Sequence, residues 1–418
     1  MEKSGKFRLT SLERNWILYD VGNSAFVLMV ATLIPIFFNA LAEAGGLSSV
    51  EYLAYGGYAS SAVTVITAVL SPILGTVADT KGFKKPIFIL CVFVGIVGCC
   101  AMGAVAAWLP FLVIFVIAKV GFSGSLVFYD SMLSDVTTPE RMDEVSSRGY
   151  AWGYIGSCVP FVACLGLVLG AGSIGISQMT ALNLALLLTA AWWLLTTLPL
   201  LKSYKQLYYV EVEKHAVRQS FARIGHTLRH LPEDKQVFWF LLAFFCYIDG
   251  VYTIIDMATA YGTALGLDTT GLLLALLVTQ IVAFPSALIF GRLSNKYPSA
   301  KLIPVCIAAY AGIAVFAFFL TQQWQFWVLA VIVGMFQGGV QALSRSHFAK
   351  IIPPEKSGEY FGLFDICGKG ASFLGTMIVS VGSQLTGSAN VGVGSLIVLF
   401  IVGFVLFRVS CKKEVVPE

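Results

Sequence analysis

The sequence has little charge. Only 12% of its 418 residues are Asp, Glu, Lys or Arg, half of the ~25% usual in soluble globular domains, and 57% are hydrophobic. A water-soluble domain of this size could not cover its surface with so few charges, and disordered chains are polar and charge-rich. The composition therefore excludes a soluble enzyme, a nucleic-acid-binding protein and a disordered chain, and it indicates a helical membrane protein.

Sequence motifs for phosphate and metal binding are missing. There is no Gly-x-x-x-x-Gly-Lys-Ser/Thr loop, which argues against ATP-driven transport, and no His-Glu-x-x-His or Cys-x-x-Cys frame. His226 and His230 lie in a basic amphipathic stretch, 221–231, for which contact with an anionic lipid surface is the better prediction. The nine cysteines lie mostly inside apolar runs, so no disulfide framework is expected. We expect no metal and no cofactor.

Long apolar runs fill most of the chain, each close to the ~20 residues that cross a ~30 Å hydrocarbon layer. Most of the links between them are short, but a long link separates runs one to six from runs seven to twelve. This pattern predicts an all-α polytopic membrane protein with an N-terminal six-helix half (1–201), a linker (202–236) containing the amphipathic stretch, and a C-terminal six-helix half (237–418). The predicted spans are 16–41, 52–77, 86–107, 109–132, 149–171, 178–200, 237–263, 270–292, 302–321, 324–346, 359–385 and 391–409.

Basic residues are absent from one side of this arrangement. All 27 Lys and Arg residues except Lys119 and Lys369 fall in the terminal segments, in links that share a side with them, or within the last two residues of a span that ends on that side. The opposite links carry Glu43, Glu51 and Asp268 instead. The excess of basic residues in cytoplasmic loops predicts a multi-pass protein of the cell (inner) membrane with both termini in the cytoplasm. No small-residue cleavage site follows the first apolar run, so no cleavable signal peptide is expected.

The same short frame occurs once in each half. The link after span two reads Gly75-Thr-Val-Ala-Asp79-Thr-Lys-Gly-Phe-Lys-Lys, and the link after span eight reads Gly291-Arg-Leu-Ser-Asn295. Weak similarity at corresponding places in two six-helix halves is typical of a duplicated transporter. The first link resembles the signature loop of the major facilitator superfamily, which implies a twelve-helix fold with two halves in pseudo-two-fold relation.

The signature loop is predicted to act as a gating latch. Its glycines permit a tight turn and close helix approach, and Asp79 is suited to bond a helix N-terminus or an arginine. Such a latch would stabilise one state of an alternating-access cycle and break in the other. A charged turn that only obeys the positive-inside rule is the alternative. The predicted latch residues are Gly75, Asp79, Gly82, Lys84, Lys85 and Arg345.

A narrower resemblance covers nearly the whole chain. Its motifs lie in spans one, seven, ten and eleven and read Trp16-x-x-Tyr19-Asp20-x-x-Asn23-Ser-Ala-Phe, Asp249-Gly-Val-Tyr252-Thr-Ile, Gly338-Gly-Val-Gln341-Ala-Leu-Ser-Arg345-Ser and Gly368-Lys369-Gly-Ala-Ser-Phe-Leu-Gly375. These motifs resemble the autophagy-related vacuolar effluxer branch of the superfamily, in the compact form of its bacterial members. The resemblance implies secondary transport, with the fungal relatives exporting amino acids from the vacuole. Phe83 departs from the superfamily loop, where a basic residue is more usual.

Ionisable residues inside the spans are the main candidates for a transport site, because each costs ~3 kcal/mol or more in hydrocarbon. They occupy spans one, four, seven and eleven, and Asn23 joins them as a polar neighbour. The predicted substrate and coupling residues are Asp20, Asn23, Lys119, Asp249, Asp256, Asp365 and Lys369.

These residues have competing roles. Lys119 is predicted either to form a structural ion pair with Asp20 or Asp249, or to hold a substrate carboxylate. A carboxylate in such a cavity is suited to carry a proton, and Asp249 is the preferred coupling acid, followed by Asp20. A structural pair of Asp20 with Arg14 or with the region of Arg345 is the alternative.

Both signs of charge in one cavity suit a zwitterion. Asp365 and Lys369 are four residues apart and could equally satisfy each other. Other polar residues could line the path, although helix packing and interhelical hydrogen bonds explain them equally well. The predicted lining residues are Tyr19, Tyr252, Gln280, Gln337 and Gln341.

The sequence as a whole predicts a secondary active transporter of an amino acid or related zwitterion or carboxylate, with efflux as one direction and protons as the coupling ion. We expect it to act as a monomer, with a small-molecule substrate, protons and the lipid bilayer as its partners, and not as an enzyme. A uniporter or exchanger of a peptide, sugar or organic anion is the alternative. A membrane-embedded transferase would need a polar or metal cluster at one membrane face, a receptor would need a sizeable soluble domain, and a channel has no need of a duplicated unit.

Overall fold

The fold follows from the apolar runs, because a chain in lipid must satisfy its own backbone hydrogen bonds and helices do so within each segment. A computed structural model describes residues 7–211, 225–227 and 229–412. The described chain is almost entirely helical. Residues 221–224 and 228 of the predicted amphipathic stretch, 221–231, lie outside the described residues.

The N-terminal half contains spans one to six. Span one is interrupted at Thr32, and a short helix follows span four. The helices are Ser11–Ala31 with Leu33–Ala44 (span one), Ser49–Ala78 (two), Lys84–Met102 (three), Trp108–Ser131 (four), Leu133–Val136, Met142–Leu169 (five) and Gln178–Ser203 (six).

The C-terminal half contains spans seven to twelve, introduced by a 3₁₀ turn at Leu231–Glu233. Within the described residues, eleven spans are long and apolar enough to cross a membrane, and the remaining span, the eleventh, is a helix of 30 residues. The helices are Lys235–Ala264 (seven), Thr269–Leu293 (eight), Ser299–Phe318 (nine), Gln323–Ile351 (ten), Ser357–Thr386 (eleven) and Ala389–Gly394 with Ile397–Ser410 (twelve).

Spans one, five and ten extend five or more residues beyond the predicted apolar runs, span one beginning at Ser11 instead of 16, and span three ends at Met102 instead of 107. Span five begins at Met142 instead of 149, because Asp143 and Glu144 lie in its first turn, where acidic side chains are favourable. Span ten continues to Ile351 instead of ending at 346. Arg345 was predicted as a latch residue at the cytoplasmic end of span ten, but the helix continues past it and the residue is buried. Hydropathy could not predict the extensions of spans five and ten, because the added turns contain polar residues that are buried against other spans.

The halves meet where small residues allow helices to approach. Span two packs against span eleven, and span five packs against spans eight and ten. A Cβ atom added at Gly362 would lie 2.6 Å from the backbone of Pro72, and one added at Gly338 would lie 3.1 Å from the Tyr154 ring of the other half. We call the side that carries residue 11 and the long link 204–234 the linker side; it is the side predicted to be cytoplasmic.

Candidate functional site

The signature loop lies against the start of span eleven. Asp79 is fully buried, and its two carboxylate oxygens accept hydrogen bonds from the backbone N–H groups of Gly358 (2.7 Å) and Glu359 (2.8 Å). These are orphan donors of a helix N-terminus, where a negative charge is favoured. Gly75 packs on the same turn: a Cβ there would lie 2.1 Å from the Gly358 carbonyl oxygen. The loop of one half therefore caps a helix of the other.

Lys84 connects this cap to span four. Its fully buried ammonium group lies 3.7 Å from Asp79 and 3.5 Å from Asp135, and it donates a 2.8 Å hydrogen bond to Ser357. Burial raises the pKa of Asp79 to about 7, although Lys84 and the two N–H donors favour its ionised form. Two acids, one base and a helix end thus form a dry polar cluster at the linker side.

The chain after span six folds over this cluster. Val210 pairs with the loop backbone, donating to the Asp79 carbonyl (2.8 Å) and accepting from Lys81 (3.3 Å). The Lys85 ammonium lies 3.4 Å from the Tyr204 carbonyl oxygen. Gly82 turns the loop with φ +79°, a conformation that favours glycine. The first residues of the linker therefore fix the loop that holds the two halves together.

The frame in the C-terminal half makes a corresponding contact with span five. The side-chain amide of Asn295 donates a 2.8 Å hydrogen bond to Glu144, and a Cβ at Gly291 would lie 2.8 Å from the Ser147 side chain. Glu144 is buried and also bonds Arg148 at 2.5 Å. The pseudo-two-fold relation therefore extends to the contacts of the two links.

Arg345 is inserted from span ten into the N-terminal half. It is 2% exposed, and its guanidinium donates to Asp130 (2.9 Å), to the Ser146 hydroxyl (2.9 Å) and to Asp20 (3.5 Å). These partners lie on spans four, five and one. A cation from one half is thus neutralised by two acids from the other.

Aromatic rings complete the surroundings of Arg345. The guanidinium carbon lies 4.7 Å from the Trp16 ring centre, 5.4 Å from that of Tyr129 and 4.3 Å from that of Tyr150. Aromatic faces attract a cation, and more strongly when water is excluded. All three rings belong to the N-terminal half, so the Arg345 side chain of the C-terminal half is enclosed by residues of the other half.

The sequence identified Asp20 as a candidate site residue but did not identify Asp130. Asp20 pairs with Arg345 in the structure. This is the structural pair that the sequence offered as the alternative to a role in a solvent-filled cavity. Asp130 was missed, although it lies inside the predicted span 109–132. Its place two residues from the predicted end made it look like an interfacial residue, and only the position of Arg345 shows its use.

Asp249 is buried between spans seven and eleven. Its Oδ1 atom accepts hydrogen bonds from the Gly375 N–H (2.9 Å) and the Thr253 hydroxyl (3.3 Å). Its Oδ2 atom is buried and has no hydrogen-bond partner among the described residues. A buried carboxylate with an unsatisfied oxygen is costly unless it is protonated. Asp249 therefore has the properties of a proton-carrying group.

The charges of Lys119 on span four and Asp256 on span seven are close enough to interact. The Lys119 ammonium also lies 5.0 Å from the Phe122 ring centre. The two partners that the sequence suggested for Lys119 are otherwise engaged, because Asp20 bonds Arg345 and Asp249 bonds span eleven.

Asp365 joins the halves instead of serving only its own helix. It accepts a 2.7 Å hydrogen bond from the Ser71 hydroxyl of span two. The side chain of Lys369 lies outside the described residues, and with it the predicted pair of these two residues. Asp365 is half-buried on span eleven, beside the path between the halves.

The lining residues predicted in span one serve the N-terminal half. The Tyr19 hydroxyl donates to Ser125 (2.6 Å), and the Asn23 amide donates to the Tyr19 carbonyl (3.0 Å). Both side chains are buried. This is the helix-packing role that was the alternative to lining a path.

The lining residues predicted in the C-terminal half are more varied. Gln341 accepts a 2.7 Å bond from Tyr154 of the other half. The carbonyl oxygens of Gln280 and Gln337 are buried without a hydrogen-bond partner among the described residues. Tyr252 is half-buried on span seven, three residues beyond Asp249. These spare acceptors are available to a polar solute or to water.

The hydrogen bonds and ion pairs between the halves all lie in the linker-side portion of the spans, in the part of the chain that the structure describes. Besides those above, Asp143 accepts from Ser346 (2.6 Å) and pairs with Lys350 (2.6 Å), and Ser146 donates to the Ala342 carbonyl (2.8 Å). This structure is therefore the state in which the linker side is closed.

Comparison with solved structures shows the same fold. The crystal structure of the human organic anion transporter MFSD10 superposes with a TM-score of 0.72 at 14% identity, covering 95% of this chain and 98% of that one. FucP in the outward conformation gives 0.70 at 16% identity (96% and 98%), and the proton:xylose symporter XylE gives 0.70 at 10% (98% and 95%). At these identities the likeness establishes the major facilitator fold alone.

Sequence comparison extends the likeness to a family. The MFS-type transporter YxiO of Bacillus subtilis is 42% identical over 404 residues, covering 96% of this chain and 94% of that protein. The autophagy-related protein 22 of Coccidioides immitis is 25% identical over 314 residues, and the match covers only 51% of that longer protein. The family model described as vacuole effluxer Atg22 like matches residues 11–141 and 134–414. The chain therefore belongs to the Atg22-like family of major facilitator superfamily transporters.

Proposed function

We propose that this transporter moves an amino acid or a related zwitterion across the cell membrane by proton-coupled alternating access, in the export direction that the family description names. Both termini lie in the cytoplasm, and a monomer is the functional unit. Two parts of the structure support the proposal: the reversible contacts between the halves, and the acids buried along the path.

The halves are held by polar contacts that separate without breaking either half. Arg345 has its acidic partners on the other half, and Asp79 caps a helix of the other half. When the linker side opens, water can replace each of these partners. Rocking of two rigid halves about such an interface is the common mode of alternating access in transporters with repeated halves.

The observation that carries proton coupling is the unsatisfied oxygen of Asp249. A proton neutralises this carboxyl in the present state, and exposure to water in another state would release it. Its bond to Gly375 of span eleven links the protonation of span seven to the position of a neighbouring span. Zwitterion binding is supported by Lys119 and Asp256, which offer one cation and one anion in the same region.

The experiment uses purified protein in proteoliposomes with an imposed pH gradient. A thermal-shift screen with the twenty amino acids, dipeptides and organic acids selects solutes, and the flux of each radiolabelled hit is then measured. We expect an amino acid to be driven against its gradient. Asp249→Asn should abolish gradient-driven flux while keeping solute exchange, because the group that moves the proton is lost.

Glu43→Gln is the matched control, because Glu43 is an exposed acid on the opposite side. Full proton-driven flux in Asp249→Asn would assign the proton to another group. If organic acids or dipeptides bind and move while no amino acid does, the proposed solute class is wrong although the mechanism stands.

A further inference from the structure

The segment that follows span six, 204–211, lies across the signature loop, and we call it the strap. Besides the backbone pairing described above, the Gln206 side chain bonds both arms of the loop. Its amide oxygen accepts a hydrogen bond from the Gly82 N–H (2.9 Å), and its amide nitrogen donates one to the Ala78 carbonyl (3.1 Å). The strap therefore satisfies backbone groups on both sides of Asp79 and holds the loop in one conformation.

The beginning of the strap is held by Asp135, a buried acid in the short helix after span four. Its Oδ1 atom accepts hydrogen bonds from the N–H groups of Leu207 (3.0 Å) and Tyr208 (2.9 Å), and its Oδ2 atom accepts one from the Tyr204 hydroxyl (2.5 Å). Hydrogen bonds to an ionised carboxylate are stronger than those between neutral groups. The strap is thereby fixed to the end of span four as well as to the loop.

The strap is attached to one half of the molecule. In the described part of the chain, every hydrogen bond that it makes with another segment leads to the N-terminal half. The loop faces both halves, because Asp79 bonds the N–H groups at the start of span eleven. Opening of the linker side must break the bonds of Asp79 to span eleven, but it need not break any of these bonds of the strap.

We propose that the strap is a positioning element of the transport cycle: it keeps the signature loop ordered while the linker side is open, so that Asp79 caps span eleven again when that side closes. Gln206 and Asp135 are its positioning residues, and they act on closure through the loop. This proposal rests on the rocking of the halves in the proposed function.

The physical reason is the conformational entropy of a short loop. A loop that is free in the open state must be ordered each time the linker side closes, and fixing the backbone of each residue is unfavourable. Gly82 increases this freedom, because glycine has more accessible conformations than any other residue. A loop that the strap has already ordered does not pay this entropy in the closing step. Without the strap, the loop would still cap span eleven, but in a smaller fraction of the molecules.

The test uses the full-length protein in nanodiscs without solute. Fluorophores are attached through bioorthogonal amino acids at Glu140 and Lys301, exposed residues of the two halves on the linker side that lie outside the strap. Single-molecule energy transfer gives the closed-to-open ratio of that side. Gln206→Ala removes both side-chain bonds to the loop, and Lys205→Ala, which truncates the neighbouring exposed side chain, is the matched control.

We expect Gln206→Ala to lower the closed-to-open ratio by about fivefold and Lys205→Ala to leave it unchanged. Because the strap acts through the loop acid, the effect of Gln206→Ala should fall below about twofold when Asp79→Ala is already present. The same effect in both backgrounds would overturn the proposal, since the strap would then act on closure by another route.

Hydrogen exchange shows whether the loop stays ordered when the linker side opens. Arg345→Gln removes a cation that bonds two acids of the other half, so it should open that side without touching the loop or the strap. We expect the amides of 79–83 to exchange as slowly in Arg345→Gln as in the wild type, and about tenfold faster in Gln206→Ala. Fast exchange of these amides in Arg345→Gln would contradict the proposal, because the strap would then release the loop on opening.

The same measurements separate this proposal from the proposed function. If Arg345→Gln lowers the closed-to-open ratio and Gln206→Ala does not, the strap has no positioning role and the proposed function stands. If neither variant changes the ratio, the halves do not rock and both proposals fail. If the strap effects are present but no amino acid is driven by a pH gradient, only the proposed function fails. Val210→Pro, which removes the N–H that bonds the Asp79 carbonyl, replaces Gln206→Ala as the test if that variant folds poorly.

Discussion

The two short links that share the Gly-x-x-x-Asp/Asn frame each pack against the start of a helix in the other half. They differ in which partner carries the negative charge. After span two, Gly75 and Asp79 meet the start of span eleven, and the loop supplies the negative charge. After span eight, Gly291 and Asn295 meet the start of span five, and the span supplies the negative charge through Glu144. The glycine occupies the same position in both links, whereas the acid lies in the link in the first case and in the facing helix in the second.

This difference indicates which property each link must retain. The first link binds backbone N–H groups, which no substitution in span eleven except proline removes, so its strength depends on the carboxyl oxygens of Asp79. The second link binds a side chain, so its polarity depends on the pair Asn295 and Glu144 together. We therefore expect the first link to be the stronger and the second to be the more easily exchanged.

The largest effect is expected from adding a methyl group to the first link. In Gly75→Ala the new Cβ would lie 2.1 Å from the Gly358 carbonyl oxygen, and backbone cannot give way as a side chain does. Overpacking of this kind costs roughly 1–3 kcal/mol, which corresponds to a 5- to 150-fold lower closed-to-open ratio at the linker side. Energy transfer between labels at Lys202 and Lys301, exposed residues of the two halves, measures this ratio.

Gly291→Ala is the matched control for the comparison of the links. Its Cβ would lie 2.8 Å from the Ser147 side chain, a smaller overlap than at Gly75. Its effect should lie clearly below that of Gly75→Ala. Equal effects would show that the two links contribute equally to closure of the linker side.

The next effect concerns polarity. Asp79→Asn should lower the closed-to-open ratio by about tenfold, because its amide nitrogen cannot accept the N–H bond that either oxygen of a carboxyl accepts, whether or not that carboxyl is protonated. Asn295→Asp should also weaken closure, because it sets a second carboxylate against Glu144.

A second substitution that recovers the closed-to-open ratio distinguishes the two links in the same energy-transfer measurement. Asn295→Asp combined with Glu144→Gln restores a donor and an acceptor, and it should recover most of the wild-type ratio. Asp79→Asn has no comparable partner substitution, because its donors belong to the backbone of span eleven. Failure of the Asp/Gln pair to recover closure would mean that Glu144 acts through Arg148 instead.

The sequence was sufficient for the number of spans and for Asp79, because both depend on local rules. Lipid requires long apolar helices, and the signature loop identifies its own acid by spacing. The ends of spans five and ten could not be found in this way. Asp143 and Glu144 look like interfacial residues in the sequence, and only packing against the other half makes them buried and helical.

The partners of charged residues were the least predictable part. Arg345 looked like one more basic residue of a cytoplasmic link, yet it is buried between Asp20 and Asp130. A single sequence gives the depth of a charge in its own span but not the facing span. The sequence therefore placed Lys119 inside the membrane but left its partner open, and the structure sets its charge close enough to that of Asp256 for the two to interact.

The smallest effect concerns pH, and it tests the first link, because the carboxyl of Asp79 titrates near neutrality in the closed state. Burial raises the pKa of Asp79 to about 7 in the closed state, and an exposed carboxyl in the open state would have its ordinary value near ~3.9. The closed state therefore binds the proton more tightly, and lowering the pH favours closure. Between pH 8 and pH 7 the closed-to-open ratio should rise by about twofold.

Asp79→Asn should make that pH response flat, while Asn295→Asp should keep it. The groups that act on Asp79 are Lys84 and Glu359, and Lys84 also faces Asp135, so Glu359→Gln is measured as well. The same rise in Asp79→Asn as in the wild type would assign the response to Glu359 or to Asp135. In that case the first link would differ from the second in strength alone, and the carboxylate in the loop would serve binding without sensing protons.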